Sequence, residues 1–129
     1  MRLKYEHYLA MRAHVAAEAP LEACGLVAGA AGASAAVFPV TNVLHSPVRF
    51  RMAPDEQVQA LLATEAAGQV LLAIYHSHPA GPTVPSPVDR AEADYEAIYL
   101  IWSPVGATWL VRAFRLAAGR WREVPLRLE

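Results

Sequence analysis

Apolar positions recur at helical spacing in two parts of the chain. The first part runs from about residue 4 to 18, and Pro20 ends it; the second runs from Pro54 to Gly68. Pro54 suits a helical first turn because its φ is already fixed. The acids that follow it, Asp55 and Glu56, are favoured near the positive end of the helix dipole. The pattern predicts two longer helices, and a third, short helix over 89–94.

Short, mostly apolar runs lie between and after these helices. Segment 70–75 is continuously apolar, as a strand covered on both faces would be, and it leads directly into His76. The predicted strands are 24–28, 35–43, 48–52, 70–75, 98–102, 108–116 and 121–128, with a turn at 118–120. Because strands and helices are interspersed, we expect an α/β fold with a mixed central sheet flanked by helices.

Length and composition limit the possible classes of protein. The 129 residues contain no internal repeat and no long linker, so we expect a single domain over 1–129. Hydrophobic residues make up 55% of the chain, yet no apolar run approaches the ~20 residues that span a bilayer. The first residues do not resemble a secretory signal, and the single cysteine, Cys24, fits a reducing compartment. We therefore expect a cytoplasmic protein with no membrane partner.

Charge argues against a nucleic-acid partner. The net charge is −1, from 11 basic and 12 acidic residues, so no basic excess attracts phosphate. Trp102, Trp109 and Trp121 fall on predicted strands, where they would pack the sheet. One of them could instead contact a second copy of the chain, so a homodimer stays possible.

Three side chains after the apolar strand suggest metal chemistry. His76 and His78 share a face of an extended segment, and Asp89 follows a loop containing Pro79, Pro82, Pro85 and Pro87. Two histidines and one carboxylate leave a fourth tetrahedral position on zinc, which is typical of a catalytic zinc site. Taken one at a time, the histidines could be ordinary strand-end residues and Asp89 a helix cap. Their combination predicts a zinc hydrolase.

Two further residues could take part in hydrolysis. Glu22, just before an apolar run, could be the general base and acid that a metal-bound water requires, or simply an exposed residue before a strand. Ser86 could donate a hydrogen bond to an oxyanion, although the residues alone favour a capping role at the helix near Asp89. Cys24 is more simply a small buried residue than a nucleophile or a zinc ligand.

These residues, in this order, resemble the JAMM metalloproteases, also called MPN-plus domains. The match comprises Glu22, His76-Ser77-His78, Ser86 and Asp89, with ten residues between the second histidine and the aspartate. It also covers 22–29, 41–43 and 50–54, and it extends over about residues 5–115. The resemblance implies a cytidine-deaminase-like α/β fold and one Zn²⁺ per chain. It also implies ligation by His76, His78 and Asp89, Glu22 as general base and acid, and Ser86 as support for the oxyanion.

The resemblance also implies a substrate class. Without the insertions with which the eukaryotic deubiquitinases of the family grip two ubiquitins, the chain is similar to compact prokaryotic members. Those act at the C-terminus of ubiquitin-like or sulfur-carrier proteins, so we expect a peptidase or isopeptidase of that kind. The carrier tail would lie along a strand edge near residues 45–51.

Two other functions remain open at this point. The chain could be a non-catalytic module that binds ubiquitin-like proteins, or a zinc hydrolase of a small molecule. The absence of a Pro-Cys-x-x-Cys ligand motif argues against the usual zinc deaminase arrangement.

Overall fold

The computed structural model describes residues 1–91, 93 and 96–129. Its helices are α1 (Tyr5–Glu18), α2 (Pro54–Ala66) and α3 (Pro87–Ala91). Its strands are β1 (Arg2–Leu3), β2 (Cys24–Ala30), β3 (Ala33–Val40), β4 (Val70–Ser77), β5 (Ile98–Val105), β6 (Thr108–Ala117), β7 (Arg120–Val124) and β8 (Arg127–Leu128). The two longer helices and the predicted strands 24–28, 70–75, 98–102 and 108–116 are confirmed, with shifts of a few residues at their ends.

The strands of the described residues form one mixed sheet in the order β7-β6-β5-β4-β2-β3-β1-β8. The β4–β5 pair is parallel, whereas β2 is antiparallel to both β3 and β4. Although β7 and β8 lie at opposite edges, only Pro125 and Leu126 separate them in the chain. Because two residues span so short a distance, the sheet must curl until its edges approach each other. The α/β class with a mixed sheet is confirmed, and the prediction of one domain over 1–129 stays a prediction.

Helices cover the central strands on both faces. Met11 and Val15 of α1 pack against Tyr75, Leu100 and Trp102 on one face. Ala60 of α2 belongs to a second apolar cluster on the other face, with Cys24, Leu26, Ile74 and Tyr99. Alternate residues of a strand point to opposite faces, so β4 contributes to both clusters. The continuous apolar pattern of 70–75 is thus explained by a central, doubly covered strand.

The predicted helix signals of α2 are confirmed. Pro54 is the first residue of the helix, and Asp55 and Glu56 occupy its first turn. Gly68 follows the end of the helix with a φ of +69°, a left-handed conformation that glycine adopts without strain. Local sequence chemistry therefore sets both ends of this element.

The predicted strand 48–52 is wrong, and the predicted strand 35–43 ends early, at Val40. Met52 makes only an isolated bridge, to Asn42. Backbone hydrogen bonds on either side of that bridge join Val43 to Arg51 and Ala53 to Thr41, and the Asn42 side chain supplies four further bonds. Its Oδ1 accepts from the backbone N–H groups of Leu44 and Arg51, and its Nδ2 donates to the carbonyls of Glu22 and Arg49. Segment 41–53 is consequently a loop built around one amide side chain.

The predicted strand 121–128 is also wrong as a single element. It divides into β7 and β8 at Pro125, whose missing N–H cannot continue a ladder. The helix predicted over 89–94 begins earlier, at Pro87, and residues 92, 94 and 95 lie outside the described residues. Within the described part of the chain, no helix has both the length and the apolar character required to cross a membrane.

Candidate metal centre

Strand β4 has His76 near its carboxyl end, and His78 follows one residue past it. His76 pairs with Cys24 on β2 and with Ile101 on β5, so neighbouring strands enclose it on both sides. The backbone N–H of His78 donates to the carbonyl of Trp102, which continues the ladder one residue past β4. The two side chains are 1% and 5% exposed. Their spacing of two residues places both rings on one face of the strand.

The loop after His78 and the short helix α3 bring Asp89 to the same point. Asp89 Oδ1 lies 3.1 Å from His76 Nε2, and Asp89 Oδ2 lies 3.0 Å from His78 Nε2. The two Nε2 atoms are 3.1 Å apart. These three residues form a group, found among the described residues, whose donor atoms all lie within 4.8 Å of one another.

A hydrogen bond determines the tautomer of His78. Its Nδ1 lies 2.8 Å from the carbonyl oxygen of Pro82, which can only accept, so Nδ1 carries the hydrogen. In the neutral ring, Nε2 then presents a lone pair towards Asp89 and His76. Burial lowers the pKa of His78, but its hydrogen bonds to Asp89 and Pro82 outweigh burial and the pKa is raised overall.

His76 has a different environment. Burial is the main cause of its lowered pKa, so the ring favours the neutral form that a metal requires. Its buried Nδ1 has no hydrogen-bond partner among the residues described. The ring of Phe50 stacks on it with centroids 4.7 Å apart.

Asp89 is held in its ionised form. Burial raises the pKa of its carboxyl group, but hydrogen bonds with His76 and His78 outweigh burial and the pKa is lowered. The backbone N–H of Ser86 also donates to Oδ2 over 2.7 Å. Two imidazole nitrogens and one carboxylate, converging at the end of a strand, are a donor set that fits zinc and leaves one coordination position free.

Glu22 lies next to this group. It is 3% exposed, and its Oε1 has no hydrogen-bond partner in the described part of the chain. Burial raises its pKa to about 8, while His78 lowers it and Asp89 raises it further. Its backbone is fixed on both sides, because its N–H donates to the carbonyl of Ser46 and its own carbonyl accepts from Asn42. An exposed position for Glu22, the other expectation from the sequence, is wrong.

Ser86 caps the helix that carries Asp89. Its Oγ accepts from the backbone N–H of Asp89 over 3.1 Å, and its own N–H donates back to the Asp89 carboxylate. This reciprocal pair is a capping box. The hydroxyl uses a lone pair in this bond, so its hydrogen remains available to a further acceptor.

Cys24 is a buried residue without nucleophilic character. Its thiol donates a weak hydrogen bond, 3.6 Å long, to the carbonyl of Val40. Burial, reinforced by the charge of Glu22, raises its pKa to about 12, so the thiolate does not form near neutral pH. The expectation of a small buried residue is confirmed.

Two residues of this region had no assigned role in the sequence analysis. Phe50, which fell inside a wrongly predicted strand, covers the His76 ring. Asn42 ties the backbone of Glu22 to loop 41–53. An asparagine just after a strand is a usual turn signal, but nothing in the sequence indicates that it reaches Glu22.

Known proteins resemble the chain over nearly its whole length. The family described as prokaryotic homologs of the JAB domain matches residues 4–121. A probable TtuB-protein conjugate cleaving protease from Thermus thermophilus is 46% identical over 84% of this chain and 71% of that protein. A desampylase from Haloferax volcanii is 37% identical over 92% of this chain and 86% of that protein.

A solved structure shows the same fold. The crystal structure of a JAB1/MPN domain protein from Archaeoglobus fulgidus superposes with a TM-score of 0.66 at 15% identity, covering 99% of this chain and 98% of that one. This likeness shows the fold. The family match, the relatives and the donor set confirm the predicted JAMM family, the predicted hydrolase and the predicted zinc cofactor. The chain belongs to the prokaryotic homologs of the JAB domain and is a JAMM-type zinc metallopeptidase.

Proposed function

We propose that this enzyme hydrolyses a peptide or isopeptide bond at the C-terminus of a ubiquitin-like or sulfur-carrier protein. One observation carries the proposal: His76, His78 and Asp89 converge beside the buried carboxyl group of Glu22, whose Oε1 has no hydrogen-bond partner among the described residues. The relatives support the substrate class, because one is a probable TtuB-protein conjugate cleaving protease and another is a desampylase.

His76, His78 and Asp89 would hold one zinc ion per chain. When bound there, zinc polarises the substrate carbonyl and lowers the pKa of a coordinated water. Glu22 would take the proton of the attacking water and deliver it to the departing amine. Ser86 would donate its free hydroxyl hydrogen to the carbonyl oxygen as negative charge develops there.

The environment of Glu22 supports the role of proton carrier. A general base and acid works best when its pKa lies near the working pH, and burial raises the pKa of Glu22 to about 8. The charge of a metal ion beside it would lower this value towards neutrality. Because the neighbouring backbone is anchored to Ser46 and Asn42, the carboxyl group needs little reorganisation during the reaction.

Loop 41–53 supports an approach path for the carrier tail. Val43, Leu44 and Val48 are exposed apolar residues of the same loop as Phe50, whose ring stacks on His76. Residues 45–51 form no strand, so a tail at this place would be gripped by side chains, with less contribution from ladder hydrogen bonds than the sequence suggested. The proposed substrate therefore carries an extended, partly apolar C-terminal tail.

The test is mass spectrometry of ubiquitin-like carriers with C-terminal extensions or lysine conjugates after incubation with zinc-loaded enzyme. We expect cleavage that stops on chelation and stops in Glu22→Gln, which should still bind zinc. Asp89→Ala should lose zinc and activity together. Glu65→Gln, at an exposed helical position, is the matched control and should cleave normally.

Each other outcome has a defined meaning. Turnover in Glu22→Gln would overturn the assignment of Glu22 as base and acid. One bound zinc per chain without cleavage of any carrier would contradict the substrate class and favour a small-molecule substrate. Zinc retained by Asp89→Ala at full affinity would contradict the ligand set.

A further inference from the structure

A buried serine lies behind the metal centre. Ser103, on β5, is 0% exposed and directly follows Trp102, whose carbonyl accepts the backbone N–H of His78. The Ser103 hydroxyl lies 2.9 Å from the carbonyl oxygen of Pro82. Because a carbonyl oxygen only accepts, Ser103 is the donor in this hydrogen bond.

The same Pro82 oxygen also accepts from His78. The distance from His78 Nδ1 is 2.8 Å, so one carbonyl joins the hydroxyl of Ser103 to the imidazole of His78. The orientation of that carbonyl determines where the His78 ring points and which ring nitrogen carries the hydrogen. A metal ion binds the ring nitrogen that carries no hydrogen, which in this tautomer is Nε2.

The position of Pro82 is not fixed by a helix or a strand. Residues 79–86 form neither helix nor strand. In the part of the chain described, the side-chain hydrogen bonds from the sheet to the middle of this loop are those from Ser103 to Pro82 and from Arg112 to Thr83. The Arg112 bond ends on a side chain, whereas the Ser103 bond ends on the carbonyl that His78 uses.

We propose that Ser103 is a positioning residue for the metal centre: its hydroxyl holds the Pro82 carbonyl, which fixes the tautomer and orientation of His78. The proposal rests on the proposed role of His78 as a zinc ligand. Ser103 itself touches neither the metal position nor the substrate. Groups that accept the ring N–H of a metal-ligating histidine typically contribute 10- to 100-fold to metal affinity. Ser103 acts through such a group, the Pro82 carbonyl, so its contribution should lie at the lower end of that range.

Competition with a chelator measures the effect on zinc affinity. We expect Ser103→Ala to bind zinc about 10-fold more weakly than the wild-type protein, the lower end of the range for groups bonded directly to a ligating histidine. Ser103→Thr, which keeps the hydroxyl, should restore most of the affinity. Ser34→Ala is the matched control, because Ser34 is 2% exposed and hydrogen-bonded to the N–H of Lys4, and pairs with Gly29 far along β2 from the histidines.

A spectrum of the His78 ring separates positioning from general stability. Long-range ¹H–¹⁵N correlation of the zinc-loaded wild-type protein should show a slowly exchanging Nδ1–H on His78. In Ser103→Ala this proton should exchange faster, while the ring of His14 keeps its wild-type signals. Ser103→Cys, nearly the same size but a weak donor, should give the same result if the alanine variant does not fold.

The outcomes distinguish this proposal from the proposed function. Unchanged zinc affinity and an unchanged His78 spectrum in a folded Ser103→Ala would overturn the role of Ser103 and leave the metal site standing. A wild-type protein that binds no zinc would instead overturn the ligand assignment itself. Equal weakening in Ser34→Ala would show a loss of general stability, and would also contradict positioning.

Discussion

Burying Glu22 costs free energy whenever its carboxyl group is ionised. Burial raises its pKa from 4.5 to about 8, so the folded protein favours the neutral acid and the unfolded chain ionises at much lower pH. As pH rises between these two pKa values, the free energy of unfolding falls. Above the higher value it stays at its lowered level. Strongly shifted pKa values of this kind are typical of residues in active sites.

Glu22→Gln should make the metal-free protein more stable at alkaline pH. Glutamine never ionises, so its advantage should be absent below about pH 4.5, grow as pH rises towards 8 and stay constant above that. The gain should reach a few kcal/mol, since a tenfold change in proton affinity is about 1.4 kcal/mol. Urea denaturation of both proteins in chelator, across this pH range, measures it. A gain independent of pH would contradict the raised pKa.

At the scale of elements, the pairing of β2 with β4 depends on a glycine. Gly25 faces Tyr75 across the two strands, and a Cβ at position 25 would overlap the ring and hydroxyl of Tyr75. Tyr75 cannot simply move aside, because it is fully buried and its hydroxyl is bonded to His14 over 2.7 Å. The strand that carries His76 is thus placed by close contact with β2.

Gly25→Ala should destabilise the protein by about 1–3 kcal/mol, the usual cost of overpacking a core. Tyr75→Leu removes the ring carbons and the hydroxyl that the new methyl group would overlap, so the double variant should lose less than the sum of the two single losses. Chemical denaturation of the three variants measures this coupling. Strictly additive losses would show that Gly25 and Tyr75 do not compete for the same space.

Elements whose ends depend on neighbouring residues were predicted correctly from the sequence. Elements that depend on contacts with distant residues were not. The ends of α2 were predictable because Pro54 and Gly68 act within their own turn. Segment 48–52 was predicted wrongly because its backbone pairs with 41–43 at a single bridge, and the Asn42 side chain takes up the N–H of Arg51 and the carbonyl of Arg49. The break in 121–128 had a visible signal in Pro125, which removes a ladder donor.

At the scale of the whole molecule, the metal centre joins distant parts of the chain. Asp89 enters on α3, His76 and His78 at and just past the end of β4, and Glu22 just before β2. Zinc that binds the folded but not the unfolded chain must therefore stabilise the whole fold by mass action. This links metal content to global stability.

Zinc at 100 times its dissociation constant should stabilise the wild-type protein by about 2.7 kcal/mol and raise Tm by on the order of 10 °C. Thermal scans with zinc and with chelator measure the difference. Asp89→Asn, which keeps the shape of the side chain but not its charge, should show little or no increase. An equal increase in that variant would place the bound zinc elsewhere.

By itself, the sequence determined the chemical identity of the site. Two histidines in the i and i+2 positions after an apolar strand, with Asp89 beyond a proline-rich loop, limit the chemistry to a zinc-type donor set, because spacing on a strand fixes which side chains share a face. The pattern of apolar residues also determined both longer helices and the central strands, since the spacing of those residues within one element shows whether one face or both are covered.

Only the tertiary structure decided which segments meet. Glu22 could equally have been an exposed residue until β2 was placed beside β4. Ser103, 21 residues from Pro82, gave no signal at all, because a buried serine on an apolar strand has no characteristic spacing. Periodicity records how each element is covered, whereas contacts between distant residues depend on the order and curl of the sheet.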